Sequence, residues 1–153
     1  MKLAAEPPSP FESGCAEEPA ESLIRLAIAQ PVDVEIARRG ARALALDGGF
    51  SADQTDDIVV AVSELATNLL RYAIDGSMTF SLVSCAGRFG MRIESLDAGP
   101  GIDDVELALM DGYSTGKSLG SGLPIARRLM DESKIESSPA GTSIVAHKWK
   151  PAP

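Results

Sequence analysis

Residues 51–72 read SADQTDDIVVAVSELATNLLRY. Ser51 stands three residues before Gln54, the spacing at which a serine hydroxyl takes the Gln54 N–H while the glutamine side chain reaches back to the first residue, so a helix starts here. Ile58, Val62, Leu65, Leu69 and Tyr72 follow at three- and four-residue intervals and mark one apolar side. No other stretch signals a helix as strongly. The same segment holds Glu64 and Asn68, four apart and therefore one turn from each other on one side. Burying a carboxylate and an amide is costly unless both find partners. Taken alone, the pair reads either as a bridged pair inside the core or as a working pair. In the second reading the asparagine carbonyl oxygen is a hard ligand for Mg²⁺, and the glutamate orients or deprotonates an attacking hydroxyl.

Working outward, SLIRLAIAQ (22–30) places Ile24, Leu26 and Ile28 on one face of a strand. VDVEIARRGARALALDGG (32–49) then carries Val34, Ala37, Ala41, Leu44 and Leu46 at roughly helical spacing and stops at Gly48 and Gly49. After the long helix, SMTFSLVSC (77–85) alternates Met78, Phe80 and Leu82 against Thr79, Ser81 and Val83, and AGRFG turns it into MRIESLDAGPG (91–101). KIESS and TSIVAHKW, joined by PAG, read as a second hairpin. The pattern predicts an α+β two-layer sandwich, a mostly antiparallel mixed sheet with helices on one face. Residues 1–20, rich in proline and acids and poor in large apolar groups, read as a disordered tail ahead of a domain spanning 21–153.

Between the two hairpins lies DGYSTGKSLGSGLPIARRLMDE, residues 111–132. Gly116, Gly120 and Gly122 suggest a backbone that something approaches closely. Pro124 is expected at the first position of a helix running through Glu132, since its missing N–H would be unpaired there anyway. A glycine loop feeding a helix N-terminus suits phosphate, although a plain surface loop has the same composition. Asp97, at a strand end before Gly99 and Gly101, is either the capping residue of a tight turn or the acceptor of a base amino group. Arg127 and Arg128 read as a docking face or as ordinary solvated charge.

Composition narrows the function. Asp and Glu outnumber Lys and Arg by 22 to 14, a net charge of −8 that attracts no nucleic-acid backbone. The longest apolar run contains Glu64 and Asn68 and resembles no membrane span, and no secretory core precedes Cys15, so the cytoplasm is expected. Two cysteines, Cys15 and Cys85, make neither a disulfide framework nor a zinc site and are taken as incidental.

The order of these features resembles the nucleotide-binding boxes of the GHKL ATPase/kinase superfamily: Glu64-x3-Asn68, then Asp97-x-Gly99-x-Gly101, then the glycine loop, then Gly141-Thr142. The likeness covers residues from about 23 to 150. AVSELATN, DAGPGIDD, the run 111–132 and the ending AHKW further resemble the serine/threonine switch kinases of bacterial stress signalling, the RsbT type, related to anti-sigma-factor kinases. The resemblance implies an ATP site with Mg²⁺ on Asn68, adenine on Asp97 and phosphates on Gly120 and Gly122. It carries Arg71, Gly99, Gly101, Thr115, Gly116, Lys117, Ser118, Leu119, Leu123 and Thr142 over as further nucleotide contacts, and Glu64 as the catalytic group. Thr67 stands where a basic residue is often found, Lys117 and Ser118 replace part of a glycine run, and SPAG replaces Gly-acid-Gly. These departures bear on lid geometry and nucleotide affinity.

The only histidine, His147, lies on the last expected strand, which leaves no phosphoacceptor helix of the histidine-kinase kind. Gyrase-like and MutL-like members carry a transducer domain after the ATP domain, whereas this sequence stops just beyond Trp149. The expectation is a kinase that phosphorylates a serine or threonine on a separate protein. By resemblance, the substrate is a STAS-domain antagonist or scaffold, and the released kinase activates a phosphatase. The alternatives are an anti-sigma-factor kinase that holds a sigma subunit, and a nucleotide-sensing module without transfer.

Overall fold

The computed structural model describes residues 18–99 and 122–151. Strand β1 (Glu18–Ala27) begins ahead of the expected boundary at residue 21, and helices α1 (Pro31–Asp47) and α2 (Ala52–Tyr72) follow. The hairpin β2 (Ser77–Cys85) and β3 (Arg88–Asp97), helix α3 (Gly122–Leu129) and the hairpin β4 (Glu132–Ser138) and β5 (Gly141–Trp149) complete the order. The strands form one sheet, β1-β2-β3-β5-β4, in which every pairing is antiparallel. The expected two-layer architecture is present.

α2 starts as its sequence requires. The Ser51 hydroxyl accepts the Gln54 N–H at 3.1 Å, and the Gln54 side chain accepts the Ser51 N–H at 3.3 Å. Ile58, Val62, Leu65 and Leu69 are buried against Met78, Phe80, Met91 and Ile93 on the facing side of the sheet, while Tyr72 is half-buried. Each large apolar side chain closed off in this way contributes about 1.5–3 kcal/mol relative to exposure. α2 is the central helix, flanked by α1 on one side and α3 on the other.

Three expectations about the helices are corrected. Leu46 is exposed, because the core stripe of α1 is Ala37, Ala41, Leu44 and Ala45, and one further residue rotates the side chain away from it. Pro124 is the third residue of α3, where its missing N–H is still one of the four without an intrahelical partner. α3 ends at Leu129, and Glu132 opens β4. The Asp131 N–H donates to the His147 carbonyl at 2.9 Å and turns the chain into the sheet.

The sheet's outer face carries a smaller buried cluster of Val83, Cys85 and Trp149. Trp149 lies over Gly90, where a Cβ would stand 2.5 Å from the indole, and stacks on buried His147 with ring centroids 5.2 Å apart. Cys85 is disulfide-bonded, which corrects the expectation of two incidental thiols; Cys15 lies outside the described residues. No helix among the described residues is long and apolar enough to cross a membrane.

Candidate functional site

Glu64 and Asn68 lie on α2, both half-buried. On the helix they share the flank of Asp57, whose carboxylate lies 3.3 Å from the ammonium of Lys148 below α3. Asp56, about 100° further round the helix, pairs with Arg42 of α1 at 3.3 Å. The pair therefore belongs to the α3 side of the helical layer. The Asn68 side-chain nitrogen is buried with no hydrogen-bond partner among the described residues. An unmet buried donor costs about 1–3 kcal/mol, and an anionic oxygen is the partner that best relieves it.

The sheet brings Asp97 to the same end. Asp97 is the last residue of β3, and the Ala98 N–H donates to the carbonyl of Ile74, just beyond α2, at 2.9 Å. Asp97 Oδ1 accepts the Gly99 N–H at 2.8 Å, which fixes the carboxylate by the turn the sequence suggested. A Cβ at Gly99 would stand 3.1 Å from that oxygen and 3.4 Å from the Ile74 nitrogen, so the turn and the end of α2 are in close contact.

Across the sheet, Asp97 pairs with Thr142 of β5. The Thr142 hydroxyl is buried and lies 2.9 Å from the Ser137 hydroxyl of β4. Ser137 was not singled out from the sequence; the KIESS and TSIVAHKW hairpin register, once fixed, is the signal that places it opposite Thr142. Before Thr142, Gly141 adopts φ 148°, and a side chain there would collide with the carbonyl oxygen of Asp97. This glycine joins the site for its backbone alone.

The remaining assignments separate clearly. Arg71 is exposed in the last turn of α2. Gly122 is the first residue of α3, and Leu123 is buried in the hydrophobic core, so any contact of Leu123 with a phosphate would come from its backbone. Gly101, Thr115, Gly116, Lys117, Ser118, Leu119 and Gly120 lie outside the described residues. Arg127 and Arg128 are exposed on α3.

At the far end of α3, the Lys148 ammonium donates to the Leu129 carbonyl at 2.6 Å and stands 3.9 Å from Asp131 Oδ1. Asp131 Oδ2 in turn accepts the Trp149 N–H at 2.7 Å. A cation on the last carbonyl of a helix is favoured by the helix dipole, and it fastens α3 to the sheet. The polar groups fit a nucleotide: a buried amide with no partner among the described residues, a fixed carboxylate able to accept from a base amino group and a buried hydroxyl beside it.

A family model described as Histidine kinase-like ATPase domain matches residues 27–148. The chain is 41% identical over 118 residues to the Serine/threonine-protein kinase RsbT of Bacillus subtilis, covering 76% of this chain and 89% of that protein. It is 31% identical over 99 residues to an Anti-sigma F factor of Caldanaerobacter subterraneus, covering 61% of this chain and 68% of the relative. A Serine-protein kinase RsbW of Bacillus velezensis is 28% identical over 130 residues, 79% of this chain and 81% of the relative. In fold, the chain is similar to the crystal structure of the RsbU and RsbW domains of a Mycobacterium tuberculosis protein, with TM-score 0.59 at 20% identity. That match covers 86% of this chain and 34% of the other, so this chain spans about a third of that protein.

Proposed function

The chain belongs to the histidine kinase-like ATPase domain family, and from that premise we propose that it is an ATP-dependent serine/threonine-protein kinase of a cytoplasmic partner-switching module. The observation that carries this reading is the 41% identity to RsbT along 89% of that protein, and the family match over residues 27–148 includes Glu64, Asn68, Asp97 and Thr142. In this reading Asn68 holds Mg²⁺ and the phosphates, Asp97 takes the adenine amino group, and Thr142, braced by Ser137, lies beside the base. Mg²⁺, when bound, offsets the negative charge that builds on the transferred phosphoryl group. Glu64 stands one turn before Asn68 and accepts the proton of the substrate hydroxyl. Oxygen–phosphorus bond formation at the serine or threonine accompanies cleavage of the bond to ADP.

The substrate class is a STAS-domain protein, and release of the kinase after transfer leaves it to activate a phosphatase. The test is phosphoryl transfer from γ-labelled Mg-ATP to purified STAS-domain proteins from the same cell, with the Glu64→Ala protein in parallel. Label on serine or threonine that the variant does not produce supports the reading. Nucleotide binding without transfer to any of them moves the function to sensing. The second reading, a kinase that also sequesters a sigma subunit, draws on the 31% identity to an Anti-sigma F factor; a stable complex with a sigma subunit favours it.

A further inference from the structure

The outer face of the sheet is open at one end and closed at the other. Met78, Phe80, Met91 and Ile93 point into the core shared with the helices, so the residues alternating with them point away from it. Toward the Asp97 end, outward-facing Ser77, Thr79, Ser143 and Val145 are half-buried and Leu96 is 40% exposed. Toward the Cys85 end, outward-facing Ser81, Val83, Cys85, His147 and Trp149 are all buried, Trp149 to 3% exposure. Arg88 stands over the indole at 4.6 Å and His147 stacks beside it, but a two-layer sandwich has no third layer to close this end. Trp149 Nε1, a donor only, is buried with no hydrogen-bond partner among the described residues. A cover that brings an acceptor fits both observations.

Connectivity and the disulfide identify the occupant. Glu18 pairs with Ser84, so the residues ahead of Glu18 meet the sheet beside Cys85. Cys85 is disulfide-bonded, and Cys15 is the only other cysteine, so within one chain the bond closes only through Cys15, three residues before Glu18. Trp149 lies two strands from Val83 with Gly90 between them, about 10 Å at the ordinary strand spacing. Residues 7–14, ahead of Cys15, span up to about 25 Å when extended, enough to cross that distance. Their PPSPF run (7–11) offers Phe11 and three prolines, whose carbonyls accept while their nitrogens carry no N–H that would need a partner. The other stretch outside the described residues, 100–121, joins Gly99 at the open end to α3 in the helical layer and is the poorer candidate.

We propose that residues 1–17 are an arm that crosses the outer face of the sheet and caps Trp149, and that the Cys15–Cys85 disulfide is a redox latch holding it there. Thiol–disulfide exchange works the latch. Two molecules of a low-molecular-weight thiol give up two electrons and two protons to the protein disulfide, leaving Cys15 and Cys85 as thiols and the reductant as its own disulfide; the reverse exchange closes the latch. Without the bond, an arm rich in proline and acids recovers its chain entropy by leaving, and Val83 and Trp149 become an exposed apolar patch. The family match begins at residue 27, so the arm and Cys15 lie ahead of it, and the latch does not depend on phosphoryl transfer being the function.

Trp149 is the only tryptophan, so its fluorescence reads the cap directly. The full chain is compared after equilibration with glutathione disulfide and with dithiothreitol, beside the Cys15→Ser protein under both conditions. Peptide mapping without reductant is expected to recover Cys15 linked to Cys85 from oxidised monomer. Acrylamide quenching of Trp149 is expected to rise several-fold on reduction and to be equally high in Cys15→Ser under either condition, with far-UV circular dichroism unchanged. Quenching that does not respond to reduction overturns the latch, as does a Cys15→Ser protein that stays shielded. A disulfide-linked dimer in the oxidised sample overturns it by making a second copy the occupant. Loss of circular dichroism on reduction also overturns it, because the bond would then hold the fold and not an arm.

Discussion

Gly141 and Asp97 meet backbone to backbone where β5 begins and β3 ends, so closely that no side chain fits at position 141. The contact sets Thr142 opposite Asp97 and thereby builds the proposed base end of the site from two strands that are far apart in sequence. Gly141→Ala is expected to cost about 1–3 kcal/mol through a strained φ and a collision with the Asp97 carbonyl. Urea denaturation measures the loss, and nucleotide affinity is expected to fall with it as Thr142 shifts.

Asn68→Ala should separate stability from binding. The Asn68 side-chain nitrogen has no partner among the described residues, so removing it is expected to leave the melting temperature unchanged or slightly higher. Nucleotide affinity, read by calorimetry, is expected to drop by about 10-fold to 100-fold, the scale of one charge-assisted hydrogen bond. A fall in melting temperature with intact affinity would make Asn68 a core residue instead.

Glu64→Ala is expected to keep nucleotide affinity and to lower phosphoryl transfer by about 10²-fold to 10⁴-fold, the usual scale for a general base. Single-turnover transfer at saturating ATP isolates the effect. Unchanged transfer would remove Glu64 from the chemistry.

Lys148→Met removes the cation that closes α3. The ammonium contributes a charged hydrogen bond to the Leu129 carbonyl and faces Asp57 and Asp131. The expected destabilisation is about 1.5–3 kcal/mol, at the lower end because both carboxylates are 41% exposed. Hydrogen exchange should show the amides of α3 losing protection before those of α2.

Asp33 gives a pH dependence with a defined sign. Its carboxylate accepts the N–H groups of Ala29 and Gln30, each at 2.9 Å, and these bonds hold its pKa below the ordinary aspartate value. A lowered folded pKa stabilises above the unfolded value and loses that contribution as pH falls through the folded one. Asp33→Ala is therefore expected to melt below wild type at neutral pH, with the gap closing in acid. A gap that is constant down to the acid limit would mean that the carboxylate charge contributes nothing.

Much was legible without coordinates because it is local. The Ser51–Gln54 cap, the α2 stripe, the two hairpins and the four-residue step from Glu64 to Asn68 depend on near neighbours and on helix or strand period, and all stand in the structure. Leu46 shows the limit of that reading: a spacing near the helical period counts it with the core, but the orientation of α1 on the sheet turns it outward. The end of α3 was overrun for a related reason. Asp131 and Glu132 suit a helix by composition, and a backbone bond to His147, distant in sequence, draws them into β4.

The sequence by itself determined the order of elements and the residue types at the site, since both follow from local chemistry. Tertiary structure alone decided which of those residues meet. Strand order sets β5 beside β3, and with it Thr142 beside Asp97 and Ser137 behind Thr142. The pairing of distant strands also sends Lys148 under α3, and the seating of α1 on the core leaves Val32, Ile36 and Leu46 exposed. Long-range contacts of this kind are fixed by how the whole core closes, and no window of neighbouring residues carries that information.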